Sequence, residues 1–292
     1  MNLDEIKQGL KHQNYIADEN TARVLNYSLL LKKPLLIEGP AGAGKTELAK
    51  AWSQYLGRNL IRLQCYEGID EGKSLYEWDY QKQLLYIQTR SSDSKEWFDT
   101  STNIYTKSFL LERPLLKAIG SDKPSVLLID EIDKSDEEFE SFLLEILSDW
   151  QITIPEIGTI PAVSIPYVLL TSNSTRNLSQ ALRRRCLYLY LDYPNEQREL
   201  DILKIHFPNL KESLGKQVIT FIRKIRLEKL KKHPSISEVI DWVSILDQLE
   251  IKSLSIDIFI SSLNILLKYK EDYQHIQEIV KQEDWFNGIF HK

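Results

Sequence analysis

Residues 39–46 read Gly-Pro-Ala-Gly-Ala-Gly-Lys-Thr, a run that fits the pattern G-x-x-x-x-G-K-[ST] in full. An apolar run typical of a buried strand, residues 34–38, precedes it, and an amphipathic helical pattern follows it. In that strand, loop and helix order, the pattern indicates a phosphate-binding loop. The glycines let the backbone wrap around a phosphate, and the start of the helix favours negative charge. The sequence therefore predicts nucleotide binding, since a plain glycine-rich turn would not need the glycines, the lysine and the threonine together.

The motif also assigns roles to its members. Lys45 can reach the β- and γ-phosphates of a nucleotide, and the Thr46 hydroxyl can ligate Mg²⁺. The nucleotide-binding set that we expect is Gly39, Pro40, Ala41, Gly42, Ala43, Gly44, Lys45, Thr46 and Glu47. The predicted ligands are therefore a nucleoside triphosphate and Mg²⁺.

The composition narrows the class of protein. The chain has 292 residues, of which 42% are hydrophobic and 27% charged, and its formal net charge is −5. That charge argues against a chain that binds nucleic acid along its whole length. The two cysteines, Cys65 and Cys186, form no disulfide framework and lack metal-ligand spacing. No run reaches about 18 apolar residues and no signal core begins the chain, so we expect a cytoplasmic protein without a membrane span.

Hydrophobic patterning predicts an α/β fold. Five short apolar runs read as strands, and helical patterns separate most of them: residues 34–38, 60–64, 126–130, 167–172 and 187–191. Such alternation favours a parallel sheet that is covered on both faces. From residue 195 onward only helical patterns occur. We therefore predict an α/β nucleotide domain over residues 1–194 and an all-helical domain over residues 195–292.

Two segments depart from the alternating pattern. Residues 67–112 are irregular and rich in Tyr and Trp, and Ser91–Ser94 has the composition of a flexible tip. Residues 151–166 predict a β-hairpin around Gly158, with Gln-Ile-Thr-Ile before the turn and Ala-Val-Ser-Ile after it.

Polar side chains follow two of the predicted strands. The run Ser-Val-Leu-Leu-Ile ends in Asp130 and Glu131, and the run Tyr-Val-Leu-Leu-Thr-Ser ends in Asn173. Ligands of parallel sheets gather at the carboxyl ends of the strands. We expect Asp130 to hold Mg²⁺ beside Thr46. We expect Glu131 to orient and polarise the attacking water, and Asn173 to contact the γ-phosphate or that water.

Three consecutive arginines, Arg183, Arg184 and Arg185, precede the fifth predicted strand. Beside a buried strand they must face solvent or a partner. An arginine that enters a neighbouring subunit's nucleotide site stabilises the charge of the phosphoryl group in the transition state. The alternatives are a solvated basic turn and a nucleic-acid contact.

The order of these features resembles that of AAA+ ATPases. The run Ile-Asp-Glu-Ile-Asp-Lys at 129–134 is similar to their Walker B segment, Asn173 to sensor 1, and the hairpin to the pre-sensor 1 insertion. More narrowly, the chain resembles MoxR-type ATPases, and residues 75–85 (Leu-Tyr-Glu-Trp-Asp-Tyr-Gln-Lys-Gln-Leu-Leu) resemble the CoxD-like branch, which includes the carbon-monoxide-dehydrogenase accessory ATPase. Further support comes from residues 36–40, 63–68, 181–188 and 234–238.

The resemblance implies an AAA+ P-loop αβα core with a five-stranded parallel sheet, followed by an all-α lid. It implies a homo-oligomeric ring, usually a hexamer, with ATP between subunits and Arg185 (Arg184 as the alternative) reaching the next site. Tyr15 and Ile16 would line the adenine pocket. The resemblance also implies two partners. One has a von Willebrand A domain that carries a metal-ion-dependent adhesion site, and the other is a client enzyme to be matured.

One position departs from the family pattern. MoxR relatives carry Ser-Pro-Arg where this chain reads Ser-Ile-Ser-Glu at 235–238, so a sensor 2 arginine is missing. Arg223 and Arg226 are the candidates for a substitute, although a charged helix face explains both.

Three other functions share parts of this pattern. A DNA-dependent motor or clamp-loader-like ATPase has the same core, and residues 224–233 are basic, but DNA contacts need clustered cations that the net charge does not favour. A small-molecule kinase leaves the Asp130–Glu131 pair and the helical part of the chain unexplained. A scaffold without turnover leaves the filled catalytic positions unexplained.

Overall fold

The central element is a five-stranded parallel sheet. The computed structural model describes residues 2–90 and 104–280; Ser91–Ser94, predicted as a flexible tip, lie outside the described residues. The strands follow the order β2-β5-β8-β1-β9. They are β1 (Leu35–Glu38), β2 (Leu60–Gln64), β5 (Val126–Asp130), β8 (Tyr167–Ser172) and β9 (Leu187–Tyr190). The predicted parallel sheet is thereby confirmed.

The strands β1, β5 and β8 are buried along their full length, which explains their continuous apolar runs. Their ends differ little from the predicted ones. Pro34 falls outside β1 because it has no N–H to donate, although its carbonyl accepts a bond of 2.8 Å from Leu187 N.

Helices pack around this sheet, and their ends follow local signals. The helix at 137–149 begins at Asp136, whose carboxylate accepts a bond of 2.8 Å from Phe139 N. It ends where Trp150 takes a left-handed conformation, with φ at 52°. The helices of this part are α1 (Leu3–His12), α2 (Glu19–Leu31), α3 (Lys45–Tyr55), α4 (Glu71–Ser74), α5 (Tyr80–Arg90), α6 (Pro114–Gly120), α7 (Glu137–Asp149) and α8 (Gln180–Arg185).

Two small antiparallel pairs occupy the irregular segments. Within 67–112, β3 (Tyr76–Trp78) pairs with β4 (Leu110–Glu112). The predicted hairpin exists, but its second strand was predicted wrongly: β6 (Gln151–Ile154) pairs with β7 (Gly158–Pro161), not with Ala162–Ile165. Gly158, with φ at 93°, starts the returning strand directly, and Ile160 pairs with the buried Ile152.

The structure divides into two compact units that interleave along the chain. The first comprises Met1–Gly9, Asp18–Gly39 and Lys45–Tyr190, and the second comprises Leu10–Ala17, Pro40–Gly44 and Leu191–Lys292. The boundary that we predicted after residue 194 stays a prediction. The middle of the phosphate loop (residues 39–46) thus groups with the C-terminal residues of the chain.

Helices are the only regular elements among the described residues after β9. They are α9 (Glu196–His206), α10 (Glu212–Leu227), α11 (Ile236–Gln248), α12 (Ile256–Leu266) and α13 (Lys270–Val280). Their core contains Phe221 and Trp242, whose ring centroids lie 5.7 Å apart, and the indole of Trp242 donates to Ser262 Oγ at 2.8 Å. Within 2–90 and 104–280, no helix is long and apolar enough to cross a membrane.

Candidate nucleotide-binding site

Lys45 brings the phosphate loop together with the end of β8. Its ammonium group donates to Asn173 Oδ1 at 2.8 Å and to Gly39 O at 2.7 Å. The side chain is buried. Burial lowers the pKa of Lys45, while Asp133, Asp130 and Glu131 work against that shift. The first unit thus joins three of the predicted residues, Gly39, Lys45 and Asn173.

Asp130 lies at the end of β5 beside the first turn of α3. Thr46 Oγ1 is 3.2 Å from each oxygen of the Asp130 carboxylate, so the two predicted Mg²⁺ ligands are adjacent. Hydroxyl and carboxylate oxygens are the donors that a hard cation such as Mg²⁺ prefers. The residues present therefore fit a magnesium ion held through Thr46 and Asp130.

Arg62 is the main charged partner of Asp130, and the sequence analysis missed it. Its Nη2 and Nε donate to Asp130 Oδ2 at 2.6 and 3.0 Å. Thr171, the fifth residue of β8, also donates to the Asp130 carboxylate. Asp130 is 2% exposed, and a buried carboxylate needs such partners. The only sequence signal for Arg62 is a cation within the otherwise apolar run Leu-Ile-Arg-Leu of β2.

Glu131 follows Asp130 in a left-handed conformation, with φ at 58°, which is uncommon for a residue with a side chain. Its Oε2 accepts from Gln64 Nε2 at 2.9 Å and from Lys134 Nζ at 2.5 Å. The contact with Glu131 raises the pKa of Lys134. Asn173 Nδ2 lies 3.4 Å from Glu131 Oε1, so the two residues that we assigned to the attacking water are neighbours.

Asp133 positions the turn that carries Asn173, a role absent from the sequence analysis. Its Oδ2 accepts from Asn173 N at 3.2 Å, from Thr175 N at 3.0 Å and from Thr175 Oγ1 at 2.6 Å. Burial alone would raise the pKa of Asp133, but the hydrogen bonds from Thr175 and Asn173 outweigh it, so that the pKa lies below its ordinary value. The carboxylate is therefore ionised and fixes the backbone at Asn173.

The three arginines of α8 differ in their contacts. Arg183 Nη2 forms an ion pair of 2.6 Å with Glu38, a buried carboxylate at the end of β1. Arg185 donates through Nε to Ser148 Oγ and through Nη1 to Ala181 O at 3.2 Å. Arg184 is exposed and has no hydrogen bond or ion pair with any residue that the structure describes.

The second unit contains the remaining loop residues. Gly42 and Gly44 have φ values of 81° and 89°, a left-handed region that glycine enters without strain. A Cβ on Gly42 would lie 2.2 Å from Ser235 Cβ, and a Cβ on Gly44 would lie 3.7 Å from the ring of Tyr15. The hydroxyl of Tyr193 donates to Ala41 O at 3.2 Å. Tyr15 therefore adjoins the loop, whereas Ser235 and Tyr193 are contacts that sequence reasoning missed.

Ile16 and the arginines near the lid have structural partners in the same unit. Ile16 O accepts from Arg198 Nη2 at 2.7 Å. Arg226 forms a 2.6 Å ion pair with the buried Glu199 and donates to Pro234 O at 2.8 Å. Arg223 lies 3.4 Å from Glu196 at the surface. These contacts are those of charged helix faces.

Comparisons with known proteins identify a family and several chains to which this one is similar. A family model described as ATPase family associated with various cellular activities (AAA) matches residues 35–191. An uncharacterized protein of Staphylococcus saprophyticus is 24% identical over 242 residues, which cover 78% of this chain and 81% of that protein. The Lon protease of Fusobacterium nucleatum is 26% identical over 217 residues, 69% of this chain and 25% of that protein. The RuvB Holliday junction branch migration motor of Thermotoga maritima aligns with a TM-score of 0.46 at 18% identity, covering 91% of this chain and 71% of that chain.

Proposed function

The chain belongs to the ATPase family associated with various cellular activities, and from that premise we propose that it hydrolyses ATP to ADP and phosphate at the residues around Lys45. The observation that carries this proposal is the pair of contacts Lys45–Asn173 and Thr46–Asp130, of 2.8 and 3.2 Å. These contacts join the phosphate loop to the ends of β8 and β5. ATP hydrolysis needs a side chain that contacts the γ-phosphate and a metal ligand at such positions.

Each residue then has a role in the reaction. Lys45 and the backbone N–H groups of residues 39–46, all but that of Pro40, which has none, bind the phosphates. Glu47 lies in the first turn of α3 beside them. Glu131 accepts a proton from the attacking water, and Asn173 orients that water or the γ-phosphate. Thr46 and Asp130 would hold Mg²⁺, which would supply charge neutralisation at the phosphate oxygens. Tyr15 and Ile16 contribute to the adenine side of the site.

We further propose that the site is completed by a second copy of the chain in a ring, for which a hexamer is the expected form. An arginine from α8 of one copy approaches the γ-phosphate bound by the next. Arg185 is the residue that the family resemblance selects. Arg184 is favoured by its exposure and by its lack of a partner among the described residues.

The cellular role that we propose is that of a MoxR-type, CoxD-like ATPase that remodels or matures a client enzyme with a von Willebrand A domain partner. The support is the Tyr-Glu-Trp run at 76–78 and the other stretches quoted above. In the structure this run forms β3, which pairs with β4. Trp78 packs against Tyr105 with ring centroids 5.2 Å apart. A partner could contact this segment, because Tyr80 and Leu84 nearby are exposed.

Two experiments separate the hydrolytic role from the cellular one. Mg²⁺-dependent phosphate release by the purified chain, lost in Lys45→Ala, tests hydrolysis. Capture of partners with Glu131→Gln in the presence of ATP, with mass spectrometry of the retained proteins, tests the role. The control is Lys45→Ala/Glu131→Gln, which should hold neither ATP nor partner. Recovery of a protein with a metal-ion-dependent adhesion site, or of a metalloenzyme, would support the maturation role. Recovery of DNA alone would replace it with a DNA-dependent motor.

A further inference from the structure

A cavity opens at one end of the five-stranded sheet. It has a volume of about 270 Å³ and is lined in part by Lys33, Arg58 and Tyr167. Lys33 lies just before β1, Arg58 lies before β2, and Tyr167 begins β8. The cavity therefore lies at the amino ends of the strands, the opposite edge from Lys45 and Asn173, and all of its lining belongs to the first unit. We call it the basic cavity.

The charged side chains that line the basic cavity are all positive. Among the residues that the structure describes, three cations line it, Lys32, Lys33 and Arg58, and no carboxylate does. Within residues 2–90 and 104–280, none of the three forms an ion pair or a side-chain hydrogen bond. Arg58 is half-buried and the two lysines are exposed. Three unpaired cations around one cavity produce a local positive potential that favours an anion.

The negative ends of three helices offset only part of the positive charge of these cations. The helices α2, α3 and α7 end at this edge, since Lys32, Arg58 and Trp150 follow their last turns. Each helix C-terminus carries roughly −0.5 of an elementary charge, so three supply about −1.5 against about +3 from the cations. Backbone N–H groups already satisfy some terminal carbonyls: Lys33 N donates to Ser28 O, and Trp150 N to Ile146 O, at 3.2 Å each. A positive surplus remains.

The rest of the lining is apolar and aromatic. Trp150, Leu29 and Ile165 contribute to it together with Tyr167. The hydroxyl of Tyr167 donates to Leu25 O at 3.2 Å, so its polar end is already satisfied. Ile165 is 37% exposed, an apolar side chain left at the rim. Cationic and apolar side chains line the same cavity, which matches a ligand that has both characters.

From this combination we propose that the basic cavity binds a small organic anion: a phosphate, sulfonate or carboxylate group carried on an aromatic or apolar body. Lys32, Lys33 and Arg58 bind the anionic group, and Trp150 with Ile165 contacts the body. The volume of about 270 Å³ lies just below the range for ligand pockets, about 300–1,000 Å³, which suits a compact ligand. The site is separate from the proposed ATP site and does not depend on it.

The test uses 2-naphthyl phosphate as the probe, with 2-naphthol and inorganic phosphate as its two halves, and isothermal titration calorimetry as the measurement. We expect the whole probe to bind at least about tenfold more tightly than either half, because ionic and apolar contacts both contribute. Binding should persist in Lys45→Ala, which removes a cation of the proposed ATP site only. It should weaken at least about tenfold in Lys33→Glu/Arg58→Glu, since two attractive charges become repulsive.

The matched control is Lys117→Glu/Lys123→Glu, which changes the net charge equally at exposed lysines outside the lining. Lys33→Gln/Arg58→Gln, with a check of thermal unfolding, replaces the charge-reversed pair if that variant does not fold. Absence of binding to the wild-type chain, equal binding of 2-naphthol, equal loss in the control pair, or loss in Lys45→Ala would each overturn the proposal.

Discussion

Ser235 fills the space into which a side chain on Gly42 would project: a Cβ built there would lie 2.2 Å from the serine Cβ and 2.6 Å from its Oγ. Ser235, the N-cap residue of α11, thus contacts the phosphate loop, in the segment 235–238 where the sequence lacks the arginine that the MoxR resemblance led us to expect. While Ser235 is present, only glycine fits at position 42 without a shift.

Gly42→Ala should therefore weaken nucleotide binding, because the contact and the positive φ each cost free energy, together about 1–3 kcal/mol. Binding of a fluorescent ADP analogue measures the effect. Ser235→Gly in the same chain should restore part of the affinity, since it removes the contact and leaves the φ penalty. Gly57→Ala is the matched control: its φ is 61°, but nothing lies within 4 Å of its Cβ. An equal loss of nucleotide affinity in that control would show that contact with Ser235 is irrelevant.

Glu131→Gln should keep ATP affinity and lose turnover by about 10²–10⁴-fold, the usual contribution of a general base. The amide keeps the size of the side chain and can still contact Gln64, but it cannot accept a proton from water. Phosphate release and equilibrium ATP binding are the paired measurements. Glu138→Gln, an exposed change on α7, should leave both unaltered. Normal turnover in Glu131→Gln would remove the assignment.

Arg184→Ala should lower turnover more than Arg185→Ala does, because Arg185 is already engaged with Ser148 and Ala181. Removal of a transition-state arginine supplied in trans costs about 10³–10⁵-fold. Mixing Arg184→Ala with Lys45→Ala should restore some activity, since one kind of mixed interface then has both groups. The reverse ranking, with thermal stability unchanged, would return the assignment to Arg185.

Arg62→Met should lower the free energy of unfolding when Mg²⁺ is absent, because the buried Asp130 carboxylate loses its charged partner. Arg62 is about half exposed, so solvent screening keeps the effect at about 1–3 kcal/mol, between that of an exposed pair and that of a fully buried one. Mg²⁺ should then raise the melting temperature more in the variant than in the wild type. Arg58→Met is the control, because Arg58 lies four residues before Arg62 in the sequence but does not contact Asp130. An equal Mg²⁺ effect in both variants would contradict the link between Arg62 and the metal site.

Glu238 gives the second unit a measurable acid sensitivity. Burial acts to raise the pKa of Glu238, but hydrogen bonds from Lys232, at 2.9 Å, and from Ser235 outweigh it and lower the pKa to about 2. Because the pKa of Glu238 is lower in the folded than in the unfolded chain, its ionised carboxylate stabilises the fold above about pH 4.5. This stabilisation is lost as the pH falls from about 4.5 toward 2.

Glu238→Gln should therefore flatten the decline in unfolding free energy over that acid range, with a loss of up to about 3 kcal/mol at neutral pH. Chemical denaturation at a series of pH values measures it. Glu278→Gln, at an exposed glutamate of α13, should keep the wild-type decline. An unchanged acid limb in Glu238→Gln would show that other carboxylates produce it.

Local patterns were enough to predict the sheet and the positions of Asp130 and Asn173 at the carboxyl ends of its strands, because each pattern lies within a few consecutive residues. The roles assigned to them and to the loop at 39–46 stay predictions. The side chains that contact these residues could not be predicted from the sequence. Arg62 reaches Asp130, and Ser235 reaches Gly42, only because of strand order and helix packing that sequence spacing does not encode. The strand order β2-β5-β8-β1-β9 places residues far apart in sequence side by side.

Short strands could not be predicted from the sequence for a different reason. The strand β3 has three residues and pairs Tyr76 with Glu112, too short a run for a period of two to appear. In the hairpin, the alternation continues past Pro161 into residues that form no strand, so the pattern alone could not choose the register.

The position of β1 between β8 and β9 has a consequence for biosynthesis. Leu35 pairs with Leu169 on one side and with Leu187 on the other, so β1 leaves the ribosome long before either neighbour exists. At roughly 5–20 residues per second the delay is on the order of ten seconds, during which an apolar strand lacks both of its partners. Lys45 meets Asn173 only after that wait, and a nascent chain that stops before residue 187 keeps one side of β1 open to other chains.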